Sequence, residues 1–233
     1  MATKIIAAIG GTGALGRSVT REFLKQDAIV VVGWNSEEKW AAFSDDFASF
    51  GERVVGVEVD VASEDSVREY FSSIVKRYGH VDALVYMAGV FSVGPELWHA
   101  DIQQLKKLME INTIGAVVAC KYAIPSMLKQ NQGNIIFLPA KSVFYGTPHF
   151  GTYAVSKGAL ITLMETLNAE LRETNIAVNC IMPDAMITPI TSSIPGAPVE
   201  KMVSTEDVAE IISSVCMSQG NIVRGSVLRC FGK

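Results

Sequence analysis

The chain has 233 residues, 49% of them hydrophobic, which is enough to bury a sizeable core and suits one large α/β domain better than two small ones. Twenty basic residues against 24 acidic ones leave a net charge of −4, with no run of like charges, which argues against a nucleic-acid partner. No stretch approaches the roughly 20 apolar residues of a membrane span, and glycine breaks the apolar run at 5–9 too early for a secretory signal, so a soluble, cytoplasmic protein is expected.

The first predicted element is a strand at 5–9. Gly10-Gly11-Thr12-Gly13-Ala14-Leu15-Gly16 follows it and leads into a helix over 16–26. Glycine lets the backbone turn sharply and lets a pyrophosphate approach, and a helix N-terminus offers unpaired N–H groups to an anion. A purely structural turn is the competing reading. The second strand, 29–32, runs into Gly33-Trp34-Asn35-Ser36. A dinucleotide site that favours NAD places a carboxylate there, on the ribose 2′-hydroxyl. None is present, and Asn35 and Ser36 can donate to a 2′-phosphate, so the expectation tilts toward NADP although no arginine accompanies them. Trp34 alternatively packs under the adenine.

Further strands are predicted at 54–59, 83–87, 134–138, 177–181 and 226–229, with amphipathic helices at 63–78 and 152–173. The runs are nearly continuous in apolar character, as in strands buried on both faces. Alternation of this kind implies a doubly wound, mainly parallel sheet of about seven strands, with helices on both faces and right-handed crossovers. Ligands of such sheets bind beyond the carboxyl ends of the strands, which makes the proline-rich stretch from Thr188 a candidate substrate lid over about 188–203. Cys120, Cys180, Cys216 and Cys230 form no CxxC pair and no metal-ligand spacing with histidine, so they read as small buried residues and no metal is expected.

Tyr153 and Lys157 open the 152–173 helix four residues apart, on one helical face. A tyrosine hydroxyl titrates near ~10. A neighbouring ammonium favours the phenolate, so Lys157 is expected to move Tyr153 toward neutrality, where it can exchange a proton with a carbonyl or alcohol oxygen.

With these motifs the chain resembles the short-chain dehydrogenase/reductase family over essentially its whole length. The glycine-rich turn and Tyr153/Lys157 match, as does Asp60-Val61 after the third strand. Met87-Ala88-Gly89 stands where the family has Asn-Ala-Gly. Asn112 matches an asparagine that positions a water in the proton relay. Pro183-Asp184-Ala185-Met186-Ile187-Thr188-Pro189 matches the segment that binds the carboxamide, and the residues from Arg224 to Leu228 resemble the final turn and strand. The resemblance implies a single Rossmann-like domain over 1–233 and hydride transfer between NAD(P) and a small carbonyl or alcohol substrate. It implies that Tyr153 is the general acid/base, that Lys157 holds the ribose, and that Gly10, Thr12, Gly13, Leu15, Gly16, Trp34, Asn35, Ser36, Asp60, Val61, Ala88, Gly89, Pro183, Met186 and Thr188 surround the cofactor. It also implies a homodimer or homotetramer paired through helices near 102–121 and 152–171, to which Leu163, Leu167 and Leu171 could contribute; core packing explains those leucines equally well.

Departures from the pattern bear on the chemistry. The family's serine, 13 residues before the tyrosine, is Ala140 here, and Ser142 replaces it only if the loop bends differently. Lys141 is expected to be solvated. Asp184 replaces a glycine and puts a carboxylate near the nicotinamide. Ala14 stands where the main branch has a glycine, and Met87 removes an amide that braces the central strand. Gly13-Ala14-Leu15-Gly16, Ala140-Lys141 and Gly146-Thr147-Pro148 also resemble the dihydropteridine reductase branch, which lacks the serine and reduces a quinonoid ring. That branch favours NADH through a carboxylate that is absent here. The alternatives to a carbonyl reductase are therefore a reductase of an activated, quinonoid or pteridine-type substrate, or a non-catalytic NAD(P)-binding sensor. Trp98, Phe144, Tyr145, His149 and Met186 are candidates to line an aromatic-tolerant pocket, with His149 more simply a loop residue.

Overall fold

The computed structural model describes residues 3–193, 199–218 and 222–232. One seven-stranded sheet organises them, in the order β3-β2-β1-β4-β5-β6-β7, with every pairing parallel. The strands are β1 (Ile5–Ile9), β2 (Ile29–Trp34), β3 (Val54–Glu58), β4 (Ala83–Tyr86), β5 (Gly133–Phe137), β6 (Ile176–Pro183) and β7 (Val227–Cys230). The chain order reverses between β1 and β4, and the crevice at that switch point is where open sheets of this kind bind ligands.

The helices are α1 (Ala14–Lys25), α2 (Glu37–Phe47), α3 (Glu64–Tyr78), α4 (Ile102–Met109), α5 (Gly115–Gln130), α6 (Ser142–Tyr145), α7 (Gly151–Glu170), α8 (Pro189–Ser192) and α9 (Thr205–Met217). Both faces of the sheet are covered, as the strand pattern requires. Ile9, Leu84, Ile135 and Val178 face a core closed by α3, α5 and α7, while Ile6, Val32, Val85 and Ile181 face one closed by α1, α2 and α9. Burial of each such aliphatic side chain contributes ~1.5–3 kcal/mol.

Several expected boundaries shift. β2 runs on to Trp34 instead of ending at 32, because Gly33 and Trp34 keep the register with Ile9 and Glu58. β6 likewise extends to Pro183, and α7 stops at Glu170, short of 173. The elements α2 and α9 were not read from the sequence, although Ser36 and Ser204 cap them by accepting from Lys39 N and Asp207 N. A five-residue π turn, Glu110–Ile114, fuses α4 and α5 into one helix, Ile102–Gln130. At 29 residues it is long and apolar enough to span a bilayer by composition, where no such stretch was expected; half of its most apolar window is buried inside the fold.

Of the leucines considered for subunit contact, Leu167 and Leu171 are buried in the core and Leu163 packs against it. All four cysteines are free and buried, and burial pushes the Cys180 and Cys216 thiols up to about 12.

Candidate active site

The carboxyl ends of the strands bring the predicted residues to one edge of the sheet. The turn after β1 is held by Gly10 N and Gly11 N, which both donate to Gly33 O at 3.1 and 3.3 Å. Gly10 adopts φ +80°, and a Cβ there would lie 2.5 Å from Ala88 N, so glycine is needed both for the turn and for the approach of the β4 loop. Leu15 and Gly16 are buried, with Thr12 at the turn's rim. Ser36, Ser63, Asp101 and Ser204 cap α2, α3, α4 and α9 through their side chains, whereas α1 begins at Gly13, which has none. Its first N–H groups have no side-chain acceptor and no acidic residue in the first turn, which suits a phosphate.

At the end of β2, Trp34 stacks on Trp40 at 6.0 Å and 10°, and its buried indole N–H has no partner among the described residues. Asn35 is exposed at the tip. The Ser36 hydroxyl accepts from Lys39 N and keeps its proton free to donate. Asp60 accepts from Ala62 N at 2.9 Å and Val61 is buried beside it.

The π turn places Asn112. Its Oδ1 accepts from Val90 N at 2.7 Å, and its Nδ2 donates to Val90 O and to Ser156 Oγ at 3.1 and 2.9 Å. Ser156 Oγ in turn donates to Tyr153 O, and Thr113 Oγ1 donates to Ser156 O at 2.7 Å. The Tyr86 hydroxyl donates to Ile111 O at 2.7 Å, engaging a carbonyl within the π turn. The loop after β4, the π turn and the first turn of α7 are thus stitched together around Ser156, a residue the sequence reading passed over.

Lys157 is buried, and no hydrogen bond or ion pair among the described residues reaches its ammonium. A Cβ on Gly89 would lie 2.9 Å from Lys157 Nζ and 3.1 Å from Asn112 Oδ1, so Ala88-Gly89, Asn112 and Lys157 converge on one spot. Burial brings the lysine down to about 8. The expected lowering of Tyr153 does not occur: burial pushes its hydroxyl up to about 12. Lys157 is buried and Tyr153 half-buried, and in both the loss of solvation disfavours the charged form, which at Tyr153 is the phenolate. At neutral pH Tyr153 holds its proton.

The loop after β5 does not bring Ser142 out. Val143 N donates to Ala140 O and Phe144 N to Lys141 O, so the chain turns directly into α6. The Ser142 hydroxyl is buried without a partner among the described residues and makes no hydrogen bond to Tyr153. Lys141, expected to be solvated, instead pairs with Asp184 Oδ2 at 2.5 Å and lies over the Phe231 ring at 5.1 Å. Asp184, which departs from the family pattern, is therefore joined to the neighbour of Ala140 across the ends of β5 and β6.

Thr188 shares a hydrogen bond with Thr191, and Met186 forms a bridge with Val203 that pinches the base of the 188–203 segment. Residues 194–198 of that segment lie outside the described residues. His149 adopts φ 69° in a loop, and its carbonyl accepts from Gly94 N at 2.9 Å. Phe91 and Phe150, which the sequence reading missed, pack edge-on to the Tyr153 ring at 5.2 and 6.4 Å. Phe150 lies three residues before Tyr153, a helical neighbour spacing that could have flagged it.

The family model for short chain dehydrogenases matches residues 4–197. Among curated relatives, short chain aldehyde dehydrogenase 1 of Euphorbia lathyris is 30% identical over 94% of this chain and 75% of its own length. The 3-oxoacyl-[acyl-carrier-protein] reductase FabG of Thermotoga maritima is 25% identical over 97% of this chain and 95% of its own. The solved structure of ElxO with NADP bound superposes with a TM-score of 0.92 at 27% identity, covering 98% of this chain and 97% of ElxO. The chain belongs to the short-chain dehydrogenase/reductase family.

Proposed function

We propose that the protein is an NADP(H)-dependent reductase of small carbonyl compounds, with Tyr153 as the proton donor. The observation that carries this reading is the buried, unpartnered Lys157 ammonium beside Gly89 and Asn112, one helical turn from Tyr153. A buried cation without a partner costs stability and is retained where a ligand satisfies it. The glycine turn before α1 fits a pyrophosphate, and Lys157 fits a ribose hydroxyl. Asp60-Val61, Ala88-Gly89 and Thr188 border the rest of the dinucleotide. The absence of a carboxylate at Trp34-Asn35-Ser36 supports NADP over NAD, as do the structures of ElxO, which are described with NADP and with NADPH.

When bound, the nicotinamide supplies the hydride. Tyr153, protonated at neutral pH, donates its proton to the substrate oxygen. Asn112 and Ser156 fix the helix that carries it. Ile114, Val117 and Val155 are about half exposed on α5, the π turn and α7, and we assign them to a contact between identical subunits, to be tested by light scattering.

The test is binding and turnover together. NADPH should bind more tightly than NADH by fluorescence titration. Tyr153→Phe should keep that binding and lose roughly 10²–10⁴-fold in kcat. Equal turnover by Tyr153→Phe would exclude the tyrosine as acid.

A further inference from the structure

Phe91, Phe150 and Tyr153 form a cage of three mutually inclined rings. Phe91 meets Phe150 at 5.4 Å and 60°, and meets Tyr153 at 5.2 Å and 78°; Phe150 meets Tyr153 at 70°. These are edge-to-face contacts, the geometry in which ring quadrupoles attract. Phe91 is nevertheless 57% exposed, and Val93, Leu97 and Trp98 on the same loop are 55%, 56% and 79% exposed.

The loop is not slack. Val90 is bonded through both backbone groups to Asn112, the Gln104 amide donates to Ser92 Oγ at 2.7 Å, and Gly94 N donates to His149 O. Leu97 packs against Gly151 at the start of α7, where a Cβ would come within 2.8 Å of it. An apolar surface held in place beside an acid/base hydroxyl, at a cost in solvent exposure, is shaped for a ligand. Ala140 offers no hydroxyl to the substrate oxygen, so the carbonyl receives less help than a serine would give. A substrate reduced to a delocalised anion, such as a quinone, spreads the developing charge into its own π system and needs less of that help.

We propose that the site, given the reading above as a carbonyl reductase, is specific for flat aromatic or conjugated carbonyl compounds gripped by Phe91 and Phe150 beside Tyr153. An aryl ring brings its own quadrupole to this cage, whereas a saturated ring of equal size brings only area. Each ring contact is worth roughly two- to tenfold in selectivity.

The experiment compares acetophenone with cyclohexyl methyl ketone. Turnover is measured with NADPH and binding by calorimetry with NADP⁺, on the wild type and on Phe91→Leu and Phe150→Leu. Phe91 is too exposed for its replacement to disturb the core. The wild type should favour acetophenone by roughly tenfold in kcat/KM, and each variant should lose two- to tenfold of that preference while changing less on the saturated ketone. Turnover without aryl preference, or a preference unchanged in both variants, overturns this inference and leaves the reductase reading intact. Selective aryl binding without turnover supports the inference and removes the reaction assigned above. Neither binding nor turnover removes both.

Discussion

Replacing Lys157 by methionine should stabilise the cofactor-free protein while abolishing turnover. The lysine is buried, has no partner among the described residues, and is brought from 10.5 down to about 8 by burial. At about 1.36 kcal/mol per pH unit, the charged form carries a penalty of about 3 kcal/mol at pH 7. A lysine whose folded value lies below its unfolded one binds fewer protons when folded, so the penalty is full below pH 8 and is relieved as pH rises from about 8 to 10.5. Methionine keeps most of the stem's packing without the charge, so Lys157→Met should gain about 1–3 kcal/mol at pH 7 by urea unfolding. The difference between variant and wild type should shrink toward zero by pH 10.5, and groups common to both chains cancel in it. A variant less stable than the wild type at pH 7, or a difference that does not move with pH, would refute the claim that the ammonium is buried at a cost.

Other outcomes follow from the same geometry. The wild-type kcat/KM for reduction should fall above pH about 8 as Lys157 loses its proton, with no contribution from Tyr153, which burial holds near 12; a profile flat to pH 10 would contradict this. Asn112→Ala removes three hydrogen bonds joining Val90 and Ser156 and should cost about 2–3 kcal/mol in urea unfolding as well as lowering kcat. Ala140→Ser restores a donor near the substrate oxygen and should raise kcat on saturated ketones by about tenfold; no gain would mean that the α6 turn aims the new hydroxyl away. The Lys141–Asp184 pair is partly solvated, so Asp184→Asn should change stability by less than about 1 kcal/mol, an effect that vanishes in high salt.

Much of the molecule was legible in the order of residues. Strands buried on both faces are continuous apolar runs, so β1, β2, β4, β5 and β6 announced themselves, the half-buried edge strands β3 and β7 were placed by the same apolar runs, and alternation with helices leaves a parallel sheet as the economical packing. The glycines of the first turn and the Tyr153/Lys157 pair were legible for a similar reason: local backbone geometry and helical spacing are properties of short segments. What tertiary structure alone decided depends on solvation and on contacts between distant segments. Spacing puts Lys157 beside Tyr153, but only the packed fold shows that burial raises the tyrosine and lowers the lysine. Lys141 and Asp184 are 43 residues apart and pair because the ends of β5 and β6 are neighbours. Phe91 reaches Tyr153 because hydrogen bonds to Asn112, Gln104 and His149 hold its loop against α7. No local pattern encodes such contacts, because desolvation and proximity exist only once the chain has closed on itself.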